Sequence, residues 1–169
     1  MKTYMRIWAA FLAVLMMASL AACGSGKPSG TEEPQETKRV EEWSMNVNGQ
    51  ELYVGMNMPK DLGEPTAYFE AASCAIQGLD KDYTYGSILV KTEDDGKTER
   101  IVGLTILDDG AATTMGVTIG DSRDKVVGAH GTPVSESETA ITYSDSSGAT
   151  FKFLLRDGSV TSITYTLGE

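Results

Sequence analysis

The chain has 169 residues, a formal net charge of −10 and an apolar fraction of 41%. This length is enough for one domain or two small ones. The excess of acid argues against nucleic acid as a partner, because phosphate contacts need clustered lysine and arginine, and against electrostatic docking on anionic lipid headgroups.

The first residues, MKTYMRIWAAFLAVLMMASLAACGSG, have the pattern of a secretory signal peptide. Two basic residues, Lys2 and Arg6, precede an apolar run from Ile7 to about Ala18. The run is shorter than the roughly 20 residues of a membrane-spanning helix. The leader has these two basic residues and no acid, so its removal changes the formal net charge from −10 to −12.

The leader ends at Leu20-Ala21-Ala22-Cys23, which resembles the lipobox of bacterial lipoproteins. In proteins with this motif a diacylglyceryl group is attached to the cysteine thiol and cleavage falls before it, here between Ala22 and Cys23. Two acyl chains are enough for stable anchoring. The sequence therefore predicts a signal peptide over 1–22 and a protein anchored through Cys23 on the extracytoplasmic face of the cell membrane.

Residues 23–42 are predicted to be the lipidated cysteine and a flexible tether. The segment GSGKPSGTEEPQETKRVEE is rich in glycine, serine, proline and charge, and Val40 is its single aliphatic residue. Such a segment buries too little apolar surface to offset the entropy cost of ordering.

From Trp43 onward, short alternating apolar runs and glycine-containing turns predict a largely antiparallel sheet. Asn48-Gly49 is a strong hairpin signal, and further turns are predicted at 93–96 and at Asp157-Gly158. One helix is predicted within GDSRDKVVGAHG, where Asp121 or Ser122 caps the first turn and a Gly-Thr-Pro segment ends the helix.

The two halves of the folded part align with each other. Gly55 aligns with Gly120, a Gly-x-Pro segment follows in both halves, and residues 83–85 align with residues 151–153 as aromatic-polar-aromatic. The predicted fold class is therefore α+β with two tandem repeats, over residues 43–110 and 111–169. Each repeat is a short helical segment packed on an antiparallel meander of three strands.

Cys74 is the only cysteine outside the leader and its cleavage site. The repeat alignment places it on the core face of a strand, which predicts a small buried apolar side chain. A disulfide with Cys23 is not expected because that thiol should carry lipid. A reactive Cys74, alone or with His130 at the end of the predicted helix, remains an alternative.

Catalytic and metal-binding motifs are missing from the sequence. The single histidine and the scattered acidic clusters do not have the spacing of a metal site. We therefore expect no enzymatic activity, no cofactor and no metal site.

Aromatic residues near the first repeat suggest a protein-binding patch. Tyr68 and Phe69 are predicted to take part, together with Asp80 and Lys81 from QGLDKDY, which is interpreted as a turn between strands. For the neighbouring residues Tyr83 and Tyr85 a place in the core is favoured and binding is the alternative, because they alternate on one strand face.

The segments VTIGDSRDKVVGAHGTP and TFKFLLRDGSVTSITY resemble the small bacterial lipoproteins of the SmpA/OmlA type and the related tandem fold of the β-lactamase inhibitory protein. The lipobox, VNGQEL, SCAIQGLDKDYTYG and IGDSRDKVV together also resemble a group of lipoproteins of Gram-positive, Firmicute-type bacteria. The resemblance covers about residues 43–169. It implies the repeated fold and the membrane location, with a role in protein scaffolding or inhibition.

Three functions follow as hypotheses. The first is a lipid-anchored extracytoplasmic module that binds or scaffolds an envelope or secreted protein. The second is an inhibitor of a secreted or surface hydrolase. The third is a thiol-dependent enzyme or redox sensor that uses Cys74.

Overall fold

Ten strands and one helix make up the described part of the chain. The computed structural model describes residues 43–168, and the predicted signal peptide, Cys23 and the tether up to residue 42 lie outside this part. The strands are β1 Met45–Val47, β2 Gln50–Leu52, β3 Ala67–Ala72, β4 Leu79–Tyr85, β5 Ile88–Asp94, β6 Glu99–Ile106, β7 Ser135–Glu136, β8 Ala140–Ser144, β9 Thr150–Arg156 and β10 Ser159–Thr166. The helix is α1 Arg123–His130.

Eight strands form one antiparallel sheet in the order β3-β4-β5-β6-β10-β9-β8-β7, and β1 and β2 form a separate hairpin. Within residues 43–168, α1 is the only helix. The fold is therefore mostly β, and the predicted α+β class with a helical segment in each of two repeats is wrong.

The first half has no helix because its segment is too short. Between Pro59 and Gly63 only three residues remain, less than one helical turn. In the second half, the side chain of Ser122 accepts a hydrogen bond from the backbone N–H of Lys125 (3.3 Å), and eight helical residues follow before Gly131. The predicted second helix and its serine cap are confirmed.

The three predicted hairpin turns are also confirmed. Asn48 (φ 51°) and Gly49 (φ 86°) join β1 to β2, and Asp157 (φ 52°) and Gly158 (φ 77°) join β9 to β10. The turn from β5 to β6 contains Gly96 (φ 84°). Left-handed backbone conformations of this kind favour glycine, asparagine and aspartate, which is why the sequence signals the turns.

The two halves make equivalent backbone hydrogen bonds. The N–H of Gly55 (φ 91°) donates to the carbonyl of Ile101 at 2.7 Å, and the N–H of Gly120 (φ 92°) donates to the carbonyl of Val160 at 2.8 Å. One residue after each of these carbonyls, β6 and β10 carry a β-bulge. The geometry therefore relates Gly55 to Gly120 and β6 to β10.

Strands from both halves lie in a single sheet. β6 and β10 are neighbours at its centre, where Thr105 is paired directly with Thr164. These two threonines occupy equivalent positions in β6 and β10. An approximate twofold axis therefore passes near this pair, with four strands on each side.

The predicted match of residues 83–85 with residues 151–153 is wrong. Tyr85, at the end of β4, is paired with the first residue of β5, and Tyr143 is paired in the same way with the start of β9. Residues 83–85 therefore correspond to residues 141–143. The sequence-based alignment counted three strands after each proline, whereas each half contributes four.

The core lies on one face of the sheet. Ile88 and Val90 of β5 and Phe151 and Phe153 of β9 are buried at alternate positions, as the two-residue period of a strand requires. α1, the β1–β2 hairpin and the loops beside them contribute further buried side chains to the same cluster. The intervening residues of the sheet point to the opposite face.

Candidate docking surface

The face of the sheet opposite the core carries a row of directly paired residues, one from each strand. The row runs Ala67, Thr84, Leu89, Thr105, Thr164, Lys152, Thr142 and Ser135. None of these residues is buried. A second paired row beside it runs Phe69, Asp82, Lys91, Gly103, Thr166, Thr150 and Ser144. We name the surface of these two rows, with Leu154, the open face.

The open face carries little of the chain's negative charge. Within its two rows the one acid, Asp82, is paired with Lys91 at 3.0 Å, and the other charged residue is Lys152. Asp80 and Glu93 lie on the same side of the sheet, outside the two rows. The whole chain has a formal net charge of −10. Most of the acid excess therefore lies outside the two rows, and threonine is the commonest residue of this face.

Two large apolar side chains on the open face are exposed. Phe69 is 65% exposed on the edge strand β3, and Leu154 is 40% exposed on β9. Interface cores are depleted of charge and enriched in apolar and aromatic side chains. The low charge of the two rows and these two exposed apolar side chains are features that the open face shares with protein-docking surfaces.

The four residues predicted to bind protein lie on the β3–β4 hairpin but not on one face. Phe69 is opposite Asp82, and Asp80 is opposite Ala71, so Phe69 and Asp80 lie on the same side of the sheet, although Asp80 is outside the two rows of the open face. Tyr68 and Lys81 lie on the core side of the sheet. The interpretation of QGLDKDY as a turn is wrong, because most of it forms β4.

The ammonium group of Lys81 forms ion pairs within the protein. Its ammonium group lies 2.7 Å from the carboxylate of Asp94 and 3.3 Å from that of Glu99, and its side chain is only 12% exposed. The hydrogen bond to Asp94 is the main reason that the pKa of Lys81 is raised. Lys81 therefore supports the hairpin and is a poor contact for a partner.

Tyr68 remains available on the edge strand. Its ring is 49% exposed and lies 4.9 Å from the ring of Tyr83, and its hydroxyl donates to the carboxylate of Glu70. That hydrogen bond and burial raise the pKa of Tyr68. The phenol is therefore neutral at physiological pH.

Cys74 is exposed in the loop between β3 and β4, so its predicted burial is wrong. The alignment assumed that the strand continued through Cys74, whereas β3 ends at Ala72. His130 packs against aromatic rings of the second half, including those of Tyr143 and Phe153. The structure therefore gives no support to a Cys74–His130 dyad.

Iodoacetamide should alkylate Cys74 in the native protein nearly as fast as in urea, within about threefold, because the thiol already faces solvent. The measurement is mass spectrometry of the quenched reaction over time, with Cys74→Ser as the control. Labelling that requires unfolding would contradict the loop position.

His130, the only histidine of the chain, lies in an aromatic cluster. Its ring centroid is 5.7 Å from that of Trp43, 5.4 Å from that of Phe151 and 5.2 Å from that of Phe153. Neither ring nitrogen has a hydrogen-bond partner within the described residues. Burial lowers the pKa of His130 from 6.5 to about 4. The neutral ring is therefore favoured by the folded state.

This histidine makes stability depend on pH in a defined window. Above about pH 6.5 the imidazole is neutral in both states, whereas at lower pH the unfolded chain gains a proton that the folded chain does not take up until about pH 4. The free energy of unfolding should fall by roughly 1 to 2 kcal/mol between about pH 7 and pH 4.5, discounted because His130 as a residue is only partly buried.

The measurement is urea unfolding at several pH values, with His130→Phe as the comparison. The variant keeps an aromatic ring, and the part of the fall in its free energy of unfolding that comes from His130 should disappear. Aspartates with lowered pKa values, including Asp94 and Asp121, titrate mainly below this window. If the free energy of unfolding of the variant falls as much as that of the unaltered chain, the pH dependence does not come from His130.

Comparison of the chain with protein-family models, with curated proteins and with solved structures found no significant match. The resemblance to SmpA/OmlA-type lipoproteins and to the β-lactamase inhibitory protein therefore stays an expectation from sequence. Across residues 43–168 there is also no helix with the length and apolar character needed to span a bilayer.

Proposed function

We propose that the chain is a lipid-anchored, extracytoplasmic module that binds a protein partner on its open face. The observation that carries the proposal is that most acidic residues of the chain lie outside the open face. In a chain with a net charge of −10, the two rows of the open face contain one acid, and that acid is paired with Lys91. Charge depletion is the compositional mark of an interface core.

The dimensions of the face support this function. Strands about 4.8 Å apart make an eight-stranded sheet about 34 Å wide, and six or seven residues of strand add about 20 Å in the other direction. The resulting area, roughly 700 Å² for this whole side of the sheet, of which the open face is a part, approaches the roughly 800 Å² that each partner contributes to an interface of standard size. An inhibitor of a hydrolase would be one form of such a binder and would use the same face.

Site-specific photo-cross-linking on intact cells tests the proposal. A photoreactive residue at Thr105, at the centre of the open face, should give a discrete adduct with one protein. The same residue at Asp124 is the control, because α1 packs on the other side of the sheet and Asp124 is exposed. Equal adducts from both positions, or an adduct from Asp124 alone, would reject the open face as the docking surface.

The anchor has its own test. Cys23→Ser should abolish incorporation of labelled palmitate, because no other side chain at the predicted cleavage site can accept the diacylglyceryl group. Cys74→Ser is the matched control and should incorporate the label like the unaltered chain. Palmitate retained by Cys23→Ser would contradict the predicted lipidation site.

A further inference from the structure

The strand β3 lies at one edge of the eight-stranded sheet. Within residues 43–168 its only strand partner is β4, so its outer side is unpaired there. All six residues of β3 are exposed. The outer side of an edge strand presents backbone N–H and C=O groups that can bond to another strand. This edge is therefore a candidate site for the addition of a strand.

The two edges of the sheet differ in their protection against such pairing. β7, the edge strand at the other end, has only two residues. β3 is three times as long, contains no proline or lysine, and pairs with β4 without a bulge. Short length, proline, lysine and bulges are the usual features that keep edge strands from pairing. The edge formed by β3 has none of them.

The register of β3 shows which backbone groups face outward. The N–H of Ser73, directly after β3, donates to the carbonyl of Gly78 at 3.0 Å, so the backbone groups of Ser73 face β4. Successive residues of an antiparallel strand direct these groups to alternate sides. Because the pairing with β4 is regular, Phe69 also faces β4, whereas Tyr68 and Glu70 direct their N–H and C=O groups outward.

The outward side of β3 is complementary to itself. In an antiparallel pair of two copies with the twofold axis at Phe69, Tyr68 of each copy is opposite Glu70 of the other, and the two Phe69 side chains face each other. The outward backbone groups of Tyr68 and Glu70 then bond across the pair. An axis at Glu70 would place two carboxylates opposite each other, and an axis at Tyr68 would place Phe69 opposite Ala67.

The side chains of this register fit each other. Phe69 is 65% exposed in the single chain, and it would lie at a non-hydrogen-bonded position, where facing side chains are closest. Facing aromatic side chains stabilise an antiparallel pair. The hydroxyl of Tyr68 already donates to Glu70 of its own chain, and a carboxylate has a second oxygen that can accept from Tyr68 of the other copy.

The charges beside β3 leave this register open. Asp82, opposite Phe69 on β4, is paired with Lys91, and three strand spacings, about 14 Å, would separate it from Asp82 of the second copy. That distance exceeds the Debye length of about 8 Å at physiological salt. Asp80 would be followed in its row by two alanines, one from each copy. The two exposed Glu70 side chains would be diagonal neighbours about 7 to 8 Å apart, each facing a tyrosine.

We propose that two copies of this chain associate through antiparallel pairing of their β3 strands, with the twofold axis at Phe69. The sheet of one copy then continues into the sheet of the other. The contact involves one short strand from each copy, so the dimer should be weak and reversible. It uses the edge of the sheet and not the centre of the open face. This inference therefore goes beyond the proposed function and can fail without it.

Sedimentation velocity of the mature chain with Cys23→Ser tests the dimer. The chain is studied between about 10 and 500 µM in 0.15 M NaCl with a reducing agent, which prevents disulfides through the exposed Cys74. We expect a monomer–dimer equilibrium with a Kd on the order of 100 µM. A chain that stays monomeric would overturn the proposal and leave a strand of another protein as the occupant of this edge.

Matched substitutions locate the contact. Phe69→Lys should weaken the dimer by about tenfold or more, because two lysines would face each other at the axis. Leu154→Lys makes the same change at an exposed apolar residue of β9 and should alter the Kd by less than about twofold. A dimer that Phe69→Lys weakens no more than Leu154→Lys would overturn the edge as the contact.

Cysteine substitutions test the register in the mature chain with Cys23→Ser and Cys74→Ser. Ala67 of one copy should be opposite Ala71 of the other, with Cα atoms about 4.5 Å apart, which is within the range of a disulfide. A mixture of Ala67→Cys and Ala71→Cys chains should therefore form linked dimers under mild oxidation at least about fivefold faster than either variant alone. Equal rates in the mixture and in the separate variants would overturn this register.

Discussion

Replacing Phe151 with alanine should lower the free energy of unfolding by about 4 kcal/mol, the usual cost of deleting a buried aromatic ring. Phe151 has no exposed surface. Its ring lies 5.1 Å from that of Phe153, 5.2 Å from that of Tyr165 and 5.6 Å from that of Trp43. The substitution would leave a cavity where the start of the folded part, β9 and β10 meet.

Urea unfolding at pH 7 measures this effect, and Leu154→Ala is the matched control. Leu154 is on the same strand but faces the other side and is 40% exposed. Its substitution should cost less than about 1 kcal/mol, as is usual for a surface position. Equal losses for the two variants would contradict the assignment of the core to one face of the sheet.

Thr164→Arg should weaken binding of the protein partner by about 100-fold without a comparable loss of stability. Thr164 is paired with Thr105 at the centre of the open face, so an arginine there would put an unpaired charge and a long side chain inside the interface. The side chain is not buried in the free protein, so the free energy of unfolding should change by less than about 1 kcal/mol.

The affinity of the purified mature chain for the protein captured at Thr105 measures this effect. Asp124→Arg is the control, because it adds the same side chain on α1, away from the open face. Binding that survives Thr164→Arg, or that is lost equally with Asp124→Arg, would place the interface elsewhere.

The sequence predicted the local elements of this fold well. Asn48-Gly49 and Asp157-Gly158 form the expected turns, and Ser122 caps the expected helix, because each signal depends on neighbours in the chain. A left-handed backbone or a free N–H at a helix start restricts the residue type directly. Such positions can be predicted without knowledge of the tertiary structure.

Long-range pairing was harder to predict. Cys74 was placed on a buried strand face because the alignment assumed three strands after each proline, whereas β3 ends two residues earlier and Cys74 lies in a loop. The first helix was expected by analogy with the second, although Pro59 and Gly63 leave too few residues for it. A strand register depends on partners far away in sequence, and an error of one strand moves every side chain to a new neighbour.

The open face was missed, although its signal is present in the sequence. In TFKFLL and SVTSITYT, large apolar residues alternate with threonine, serine and lysine, which marks one buried and one exposed strand face. Tyr68 and Phe69 stand out in the sequence as adjacent aromatic residues, whereas the threonines of the row are scattered along the chain. That row becomes visible only when the strand order brings Thr84, Thr105 and Thr142 into one line.

Lysine labelling on intact cells is the most direct test of the open face. Lys91 on this face and Lys125 on α1 are matched, because their side chains are 47% and 48% exposed and each pairs with one aspartate. An amine-reactive ester should label both at similar rates in the purified chain. On cells, we predict that Lys91 is protected by about fivefold or more while Lys125 is unchanged, since only the open face is covered by a partner. Equal labelling of Lys91 on cells and in the purified chain would contradict a docked partner on the open face.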